Sequence, residues 1–217
     1  MTEAHHHPVA GRLITTDACV AEGAAWLAAH DPRFAQALKK TGPLPLRRRT
    51  DGFGALFQAI VSQQVSVASA SAIWGRVQAA GLDDPARLSA ASEEELRACG
   101  LSRQKVRYGK ALAEAGIDFD ALRAAPDAQV VATLVAVPGI GVWTAEIYAM
   151  FALGRADVFA PGDLALQVAA QHLFALPERP KERALRAMAE SWSPWRAVAA
   201  RLLFAYYHHV KDREGIL

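Results

Sequence analysis

The chain has 217 residues, of which 52% are apolar, and a formal net charge of +2. This length suits one large domain or two small lobes, and the apolar fraction is sufficient to fill a core. A charge this small excludes a uniformly basic protein that coats DNA. No run of about 18 apolar residues occurs, so no membrane partner is expected. The N-terminus also lacks the layout of a secretory signal.

Cys19 and Cys99 are the only cysteines of the sequence. Two cysteines cannot ligate a four-cysteine iron–sulfur cluster, and their wide spacing predicts neither a zinc site nor a disulfide framework. We expect both to be small buried side chains in a reducing compartment. The tract His5–His7 is interpreted as a terminal segment without fixed structure, with metal binding as the alternative.

Apolar residues recur at helical spacing along almost the whole chain. Cap signals support this pattern: Asp17 is the expected cap of the first helix, and Ser92 with Glu95 forms a capping box. No stretch alternates as a strand does. The sequence therefore predicts an all-α protein with short connections. The predicted helices cover about residues 16–30, 53–64, 66–80, 92–100, 102–116, 127–137, 142–153, 163–174 and 181–192, followed by a long helix from residue 194.

Positive charge is concentrated in two places. Arg47–Arg49 are consecutive in a linker-like segment, "LRRRTDG". The stretch "LSRQKVRYGK" carries Arg103, Lys105, Arg107 and Lys110 with no acid. Each cluster is either a solvated surface or a contact for nucleic acid.

The segment "VPGIG" (137–141) lies between two predicted helices. Glycine allows a tight turn and close approach of the backbone to another chain. The N–H groups that open the following helix attract phosphate. The main-chain carbonyls of Val135, Val137 and Ile140 are candidate ligands for one monovalent cation, Na⁺ or K⁺. The alternative is an ordinary turn between two helices.

Asp163 follows Pro161 and Gly162 and precedes an amphipathic helix. An aspartate at this place is a natural N-cap. The helix N-terminus also stabilises an ionised carboxylate, which suits chemistry that builds positive charge nearby. Both interpretations remain open on the residues alone.

Five stretches together resemble the helix-hairpin-helix base-excision DNA glycosylases, in their DNA-3-methyladenine glycosylase II branch. They are "AIVSQQVSV", "LSRQKV", "VPGIGVWTA", "FAPGDLALQ" and "WSPWRAVAARLLFAYY", and the resemblance extends over about residues 53–207. It implies two helical lobes with an active-site cleft between them: residues 50–159 form the central lobe, and residues 1–49 with 160–217 form the other. It also implies a monomer that binds double-stranded DNA containing damaged bases, in the bacterial cytoplasm or a eukaryotic nucleus.

The same resemblance implies roles for single residues. Asp163 would be the catalytic carboxylate, and Gln64 would enter the gap left by an extruded nucleotide, with Gln63 beside it to orient the loop. The alternative is that both glutamines only end a helix. The remaining residues implied to contact DNA are Gly139, Gly141, Val142, Thr144, Arg103 and Lys105.

Trp143 occupies the position at which bifunctional relatives carry a lysine nucleophile, so a monofunctional enzyme is expected. Trp143, Ile147 and Phe204 would line the base pocket, although core packing is the alternative for Ile147 and Phe204. The implied activity is excision of alkylated bases, such as 3-methyladenine, by hydrolysis of the N-glycosidic bond, with no cofactor needed for the chemistry. The alternative functions are a non-catalytic helix-hairpin-helix module that binds DNA and an unrelated all-α interaction protein that has no affinity for DNA.

Overall fold

A computed structural model describes residues 11–214, so the tract His5–His7 lies outside the described residues. Within 11–214 the chain forms thirteen α-helices and one 3-10 helix. No strand occurs there beyond an isolated antiparallel bridge between Leu13 and Arg155. The predicted all-α class is confirmed. None of the described helices is long and apolar enough to cross a membrane.

The helices are α1 (Asp17–His30), α2 (Pro32–Thr41), α3 (Phe53–Ser62), α4 (Val67–Ala79), α5 (Pro85–Ala90), α6 (Glu93–Ala98), α7 (Arg103–Glu114), α8 (Phe119–Ala124), α9 (Asp127–Val135), α10 (Val142–Phe151), α11 (Leu164–Leu173), α12 (Glu182–Ala189), the 3-10 helix η1 (Glu190–Trp192) and α13 (Arg196–Glu214).

The described residues divide into two compact units. The continuous unit is Arg49–Tyr148, and the two-segment unit combines residues 11–48 with 149–214. The lobe limits expected from the sequence, 50–159 for the central lobe and 160–217 for the C-terminal part of the other, stay a prediction.

Helix α3 forms the centre of the continuous unit and packs against α4 and α7. Its buried residues recur at helical spacing on one side: Phe53, Leu56, Phe57, Ile60 and Val61. The ring of Phe57 also meets Trp74 of α4 edge to face, with centroids 5.9 Å apart. Burial of this apolar stripe fixes α3, so the loop that follows Ser62 leaves from a rigid element.

Helix α13 organises the two-segment unit by packing against α1, α2 and α11. Its Arg201 is fully buried. The guanidinium donates from Nε and Nη2 to the Leu46 carbonyl, both at 3.1 Å, and from Nη1 to the Ala197 carbonyl at 2.9 Å. Burial, together with the charges of Arg47 and Arg48, lowers the pKa of Arg201 to about 10. Arg201 thus fixes the start of the arginine-rich linker.

Two expectations about the first helix were wrong. Thr16, and not Asp17, caps α1, since its side chain accepts the N–H of Cys19 at 3.3 Å. Cys19 was expected to be buried, but its side chain is partly exposed. Hydrogen bonds from Thr16 and Thr15 outweigh its slight burial and lower its pKa to about 7. Cys99 is buried as expected.

Other differences are local. The capping box of Ser92 and Glu95 is confirmed in α6, but the last helix begins at Arg196 and not at Pro194. The short helices α5 and α8 and the separate α2 were not predicted, although each begins after an aspartate cap and α2 and α5 also carry proline in the first turn. Helices of six residues, as in α5 and α8, are too short to display a hydrophobic period.

Candidate functional site

The segment "VPGIG" (137–141), called the hairpin below, joins α9 to α10. Its turn is closed by two backbone hydrogen bonds, from Val137 N–H to the Leu134 carbonyl and from Ile140 N–H to the Val137 carbonyl, both at 3.1 Å. The side chains of Val137 and Ile140 are buried and anchor the turn. Gly141 precedes α10, and its carbonyl accepts the first bond of that helix from Ala145 N–H at 3.0 Å.

The two glycines of the hairpin differ in what surrounds them. Gly139 has a left-handed φ of +94°, and a Cβ built on it would lie 2.4 Å from Cγ of Tyr108. Gly141 has no left-handed φ, and nothing lies within 4 Å of the position that its Cβ would take. The fold therefore requires glycine at 139, whereas at 141 the small residue leaves open space beside the start of α10.

The first turn of α10 presents two apolar side chains to solvent. Val142 is 42% exposed and Trp143 47% exposed, whereas Thr144 is buried. The first N–H groups of an α-helix have no acceptor within the helix, so this end attracts anions. Ile147 lies one turn after Trp143 on the same face and is half-buried. The structure thus brings together Trp143 and Ile147, two of the predicted pocket residues.

The carbonyls proposed for a monovalent cation belong to Val135, the last residue of α9, and to Val137 and Ile140 in the turn. That of Val137 already accepts the N–H of Ile140, but a carbonyl oxygen has two lone pairs and can serve a cation as well. Neutral oxygen ligands suit hard cations such as Na⁺ and K⁺. The carbonyls of Val135, Val137 and Ile140 fit such an ion chemically, and its presence stays a proposal.

The loop between α3 and α4 carries the two predicted glutamines. Gln64 is exposed and has a left-handed φ of +56°. Gln63 is half-buried, and its Nε2 donates to the carbonyl of Gly139 at 3.0 Å. Gln63 is therefore tied to the hairpin, and Gln64 is accessible to a partner.

The basic residues of α7 are used in different ways. The side chain of Arg103 is 82% exposed and only 4.0 Å from Glu93 at its nearest approach. By contrast, Lys105 donates from Nζ to the Val61 carbonyl near the end of α3 at 2.6 Å. Burial lowers the pKa of Lys105. Lys110 likewise donates to the Ala91 carbonyl at 2.8 Å.

Asp163 is the N-cap of α11. Its Oδ1 accepts the N–H groups of Ala165 at 2.9 Å and Leu166 at 3.3 Å, and the residue is half-buried. The preceding Pro-Gly loop is fixed by Gln167, whose Nε2 donates to the Pro161 carbonyl at 2.8 Å. The cap interpretation is thus confirmed. It leaves the carboxylate at a helix terminus that stabilises negative charge, as the catalytic interpretation also requires.

Phe204 lies on α13 in the two-segment unit and is half-buried. Its ring centroid is 6.2 Å from that of Phe151, and the guanidinium of Arg47 lies 5.8 Å from the ring centroid. The sequence did not predict this arginine as a neighbour of Phe204. Neither did it predict Tyr108 as the packing partner of Gly139. Both pairings join residues far apart in the chain and leave no local pattern.

Known proteins resemble the chain in sequence and in fold. A DNA-3-methyladenine glycosidase of Bacillus halodurans superposes with a TM-score of 0.79 and 34% identity, covering 88% of this chain and 91% of that one. The Schizosaccharomyces pombe 3-methyladenine DNA glycosylase, solved with abasic DNA, gives a TM-score of 0.71 and 27% identity over 84% of this chain and 95% of that one. DNA-3-methyladenine glycosylase 2 of Escherichia coli is 34% identical over 171 residues, which are 72% of this chain and 57% of that protein.

A sequence model for the HhH-GPD superfamily base excision DNA repair proteins matches residues 57–195. The match includes the glutamine loop, the hairpin and Asp163. Because it extends over more than half of the chain, this protein belongs to the HhH-GPD superfamily of base excision DNA repair proteins.

Proposed function

We propose that this protein is a monofunctional DNA glycosylase of the DNA-3-methyladenine glycosylase II type. It binds double-stranded DNA as a monomer, extrudes an alkylated base such as 3-methyladenine, and hydrolyses the N-glycosidic bond. The observation that carries the proposal is the carboxylate of Asp163 at the N-terminus of α11, within the segment matched by the repair family. The names of the relatives, which are 3-methyladenine glycosylases, support the substrate class.

Asp163 would act by electrostatics. The bond between C1′ of the sugar and the base nitrogen breaks, its electron pair leaves with the base, and positive charge builds on the sugar. A cationic alkylated base leaves as a neutral molecule. The carboxylate stabilises the charged sugar, and water then forms the new bond to C1′ and loses a proton. Charge stabilisation of this kind is often the largest single contribution to catalysis.

Trp143 and Ile147 would form one side of the base pocket. A half-exposed tryptophan face attracts a cationic ring by about 0.5–2 kcal/mol. An uncharged normal base gains less from the same face, so this wall favours alkylated purines. Phe204 is the third proposed pocket residue, with the guanidinium of Arg47 near its ring.

The hairpin would hold the DNA backbone. The open space beside Gly141 allows a phosphate to approach the first N–H groups of α10, including those of Val142 and Thr144. A Na⁺ or K⁺ ion on the turn carbonyls would add positive charge next to that phosphate. Such contacts carry no base information, so they position the protein on any sequence. Gly139 shapes the turn, and Arg103 adds an exposed charge.

The test is release of free base from methylated DNA by the purified protein and by Asp163→Asn. Asparagine is an equally good N-cap, so the fold is retained. We expect the rate to fall about 100-fold or more, with binding to abasic DNA near that of the wild type. Full activity of the folded variant would contradict the assignment.

Asp118→Asn is a matched control. Asp118 caps α8 in the same way, accepting the N–H groups of Asp120 and Ala121 at 3.0 Å each. The control variant should keep full activity, because its helix has no proposed part in the chemistry. If the wild type binds DNA but releases no base from any alkylated substrate, the alternative function, a non-catalytic module that binds DNA, is the correct one.

A further inference from the structure

Three contacts join the glutamine loop, the hairpin and α7 within the continuous unit. Gln63 Nε2 donates to the Gly139 carbonyl at 3.0 Å. Gly139 in turn lies against Tyr108 of α7, so closely that a Cβ would be 2.4 Å from the ring. Lys105, one turn before Tyr108, donates to the Val61 carbonyl at 2.6 Å. Val61 is two residues before Gln63, so these five residues form a closed contact ring.

The contact ring lies next to a residue with an unusual backbone conformation. Gln64 follows Gln63 directly and has a left-handed φ of +56°. A glutamine rarely adopts this conformation, and it persists where the surrounding structure holds it. Gln64 is also exposed, so no packing of its own side chain accounts for the backbone. The contact ring constrains this backbone, because it holds the preceding residue, and the packing of α3 on α4 constrains it from both ends.

The Gln63 side chain is not needed to end α3. Its backbone N–H already bonds to the Ile60 carbonyl at 3.2 Å, which completes the last turn. The amide instead bonds to a residue 76 positions away. The acceptor there is a carbonyl, so only the NH₂ end of the amide can make the bond. The contact is therefore tertiary and joins the loop to the hairpin.

We infer that Gln63 is a positioning residue that acts through Gln64. Its bond to Gly139 couples phosphate binding at the hairpin to the insertion of Gln64 into the space left by the extruded nucleotide. The inference rests on the proposed function in that Gln64 is the residue that enters the DNA. A loop held in advance loses little conformational entropy when it inserts, so more of its contact energy is available to stabilise the extruded nucleotide. Without the Gln63 bond, Gln64 must be ordered at each encounter.

Two readouts test this coupling. The first needs no chemistry: a duplex carries a tetrahydrofuran abasic analogue opposite 2-aminopurine, whose fluorescence rises when an inserted side chain disturbs its stacking. The second is the single-turnover excision rate of one alkylated base in matched and mismatched duplexes. The proteins are the wild type, Gln63→Leu, Gln63→Glu, Gln64→Ala and the double variant Gln63→Leu/Gln64→Ala. Gln78→Leu, on the far end of α4, is the control for loss of an exposed amide.

We expect Gln63→Leu to lower the 2-aminopurine response and to slow excision from matched DNA by about fivefold to tenfold, the scale of one hydrogen bond. The slowing should be smaller for mismatched DNA, where extrusion costs less. Gln63→Glu should behave alike, since a carboxylate cannot donate to a carbonyl. Adding Gln63→Leu to Gln64→Ala should change nothing further. Affinity for undamaged DNA should stay within about twofold of wild type.

Additive effects of the two substitutions, or no effect of either Gln63 variant, would overturn the inference. Weaker binding of undamaged DNA would also overturn it, because Gln63 would then contact DNA itself. Thermal unfolding shows whether each variant is folded, and Gln63→Glu replaces Gln63→Leu if the latter is not. A wild type that gives the 2-aminopurine response but releases no base contradicts the proposed function alone.

Discussion

At the level of single residues, Gly139 and Gly141 of the same turn should respond differently to substitution. Gly139 combines a left-handed φ with contact to Tyr108, and Gly141 has neither constraint. We expect Gly139→Val to lower the free energy of unfolding by about 1–3 kcal/mol or more, because the side chain both strains the backbone and collides with the ring. Gly141→Val should leave that free energy within about 0.5 kcal/mol of the wild type.

For DNA binding we expect the opposite ranking: among folded proteins, Gly141→Val should lose more affinity than Gly139→Val. Gly141→Val fills the space proposed for a phosphate, so its affinity for abasic DNA and for undamaged DNA should fall alike, by about fivefold or more. Urea unfolding and fluorescence anisotropy measure the two quantities. An unchanged affinity of folded Gly141→Val would show that the hairpin does not grip phosphate.

At the level of elements, α7 carries an exposed and a bonded positive charge. The ion pair of Arg103 with Glu93 is long and exposed, so it contributes little and leaves the charge for DNA. Lys105 is committed to the carbonyl of Val61. We expect Arg103→Met to reduce the slope of log K against log salt concentration by about 1, as loss of one phosphate contact does. Lys105→Met should leave the slope unchanged and cost about 1 kcal/mol of stability.

Arg186→Met controls for the loss of any one positive charge. Arg186 lies on α12 and pairs with Glu182 at 3.0 Å. Arg186→Met should therefore change neither the salt slope nor the stability by much. A reduced salt slope for Lys105→Met would mean that its ammonium leaves Val61 and contacts DNA, as the sequence alone predicts.

Tyr148 of α10 links that helix to the start of α3. The N–H of Gly52 donates to its hydroxyl at 2.8 Å, and burial raises the pKa of Tyr148 from 10.0 to about 12. Between these values the unfolded chain loses the phenol proton and the folded chain keeps it. The folded state then binds more protons, so stability is fully present below pH 10 and falls as pH rises towards 12.

The loss should reach about 3 kcal/mol for a shift of this size. We expect Tyr148→Phe to be less stable at pH 8 by about 1 kcal/mol, through the lost hydrogen bond, yet to show a flatter decline in alkali. Urea unfolding at several pH values measures both effects. Tyr207→Phe, on α13, is the control for removal of a phenol. Parallel pH profiles for wild type and Tyr148→Phe would contradict the assigned burial effect.

At the level of the whole molecule, the products distinguish two kinds of glycosylase. Trp143 has no amine and cannot form a Schiff base with the sugar, and the family resemblance implies that it replaces the lysine nucleophile of bifunctional glycosylases. We expect a free base and an intact abasic strand, with no covalent complex trapped by borohydride. A glycosylase that also cleaves the strand is the positive control. Trapping of the wild-type protein on alkylated DNA would contradict the monofunctional assignment.

Much of the fold follows from local pattern. The buried stripe of α3, from Phe53 to Val61, is visible in the sequence because an amphipathic helix repeats its apolar residues every turn. The cap role of Asp163 follows equally from its place before a helix. The bond of Lys105 to Val61 spans 44 residues, and that of Gln63 to Gly139 spans 76. Such pairs depend on how helices pack, so no local signal could reveal them.

The two-segment unit has a consequence for folding during translation. Residues 49–148 form a compact unit from one uninterrupted stretch, so they can fold as soon as they emerge. Helices α1 and α2 emerge before this stretch, but α13, against which both pack, is translated after it. Until then α1 and α2, which bury Leu27 and Phe34 in the folded protein, lack this partner helix. We expect α1 and α2 of the nascent chain to need protection by chaperones. Ribosomes that stall before residue 196 should release a product in which the continuous unit is folded and α1 and α2 remain open to proteases.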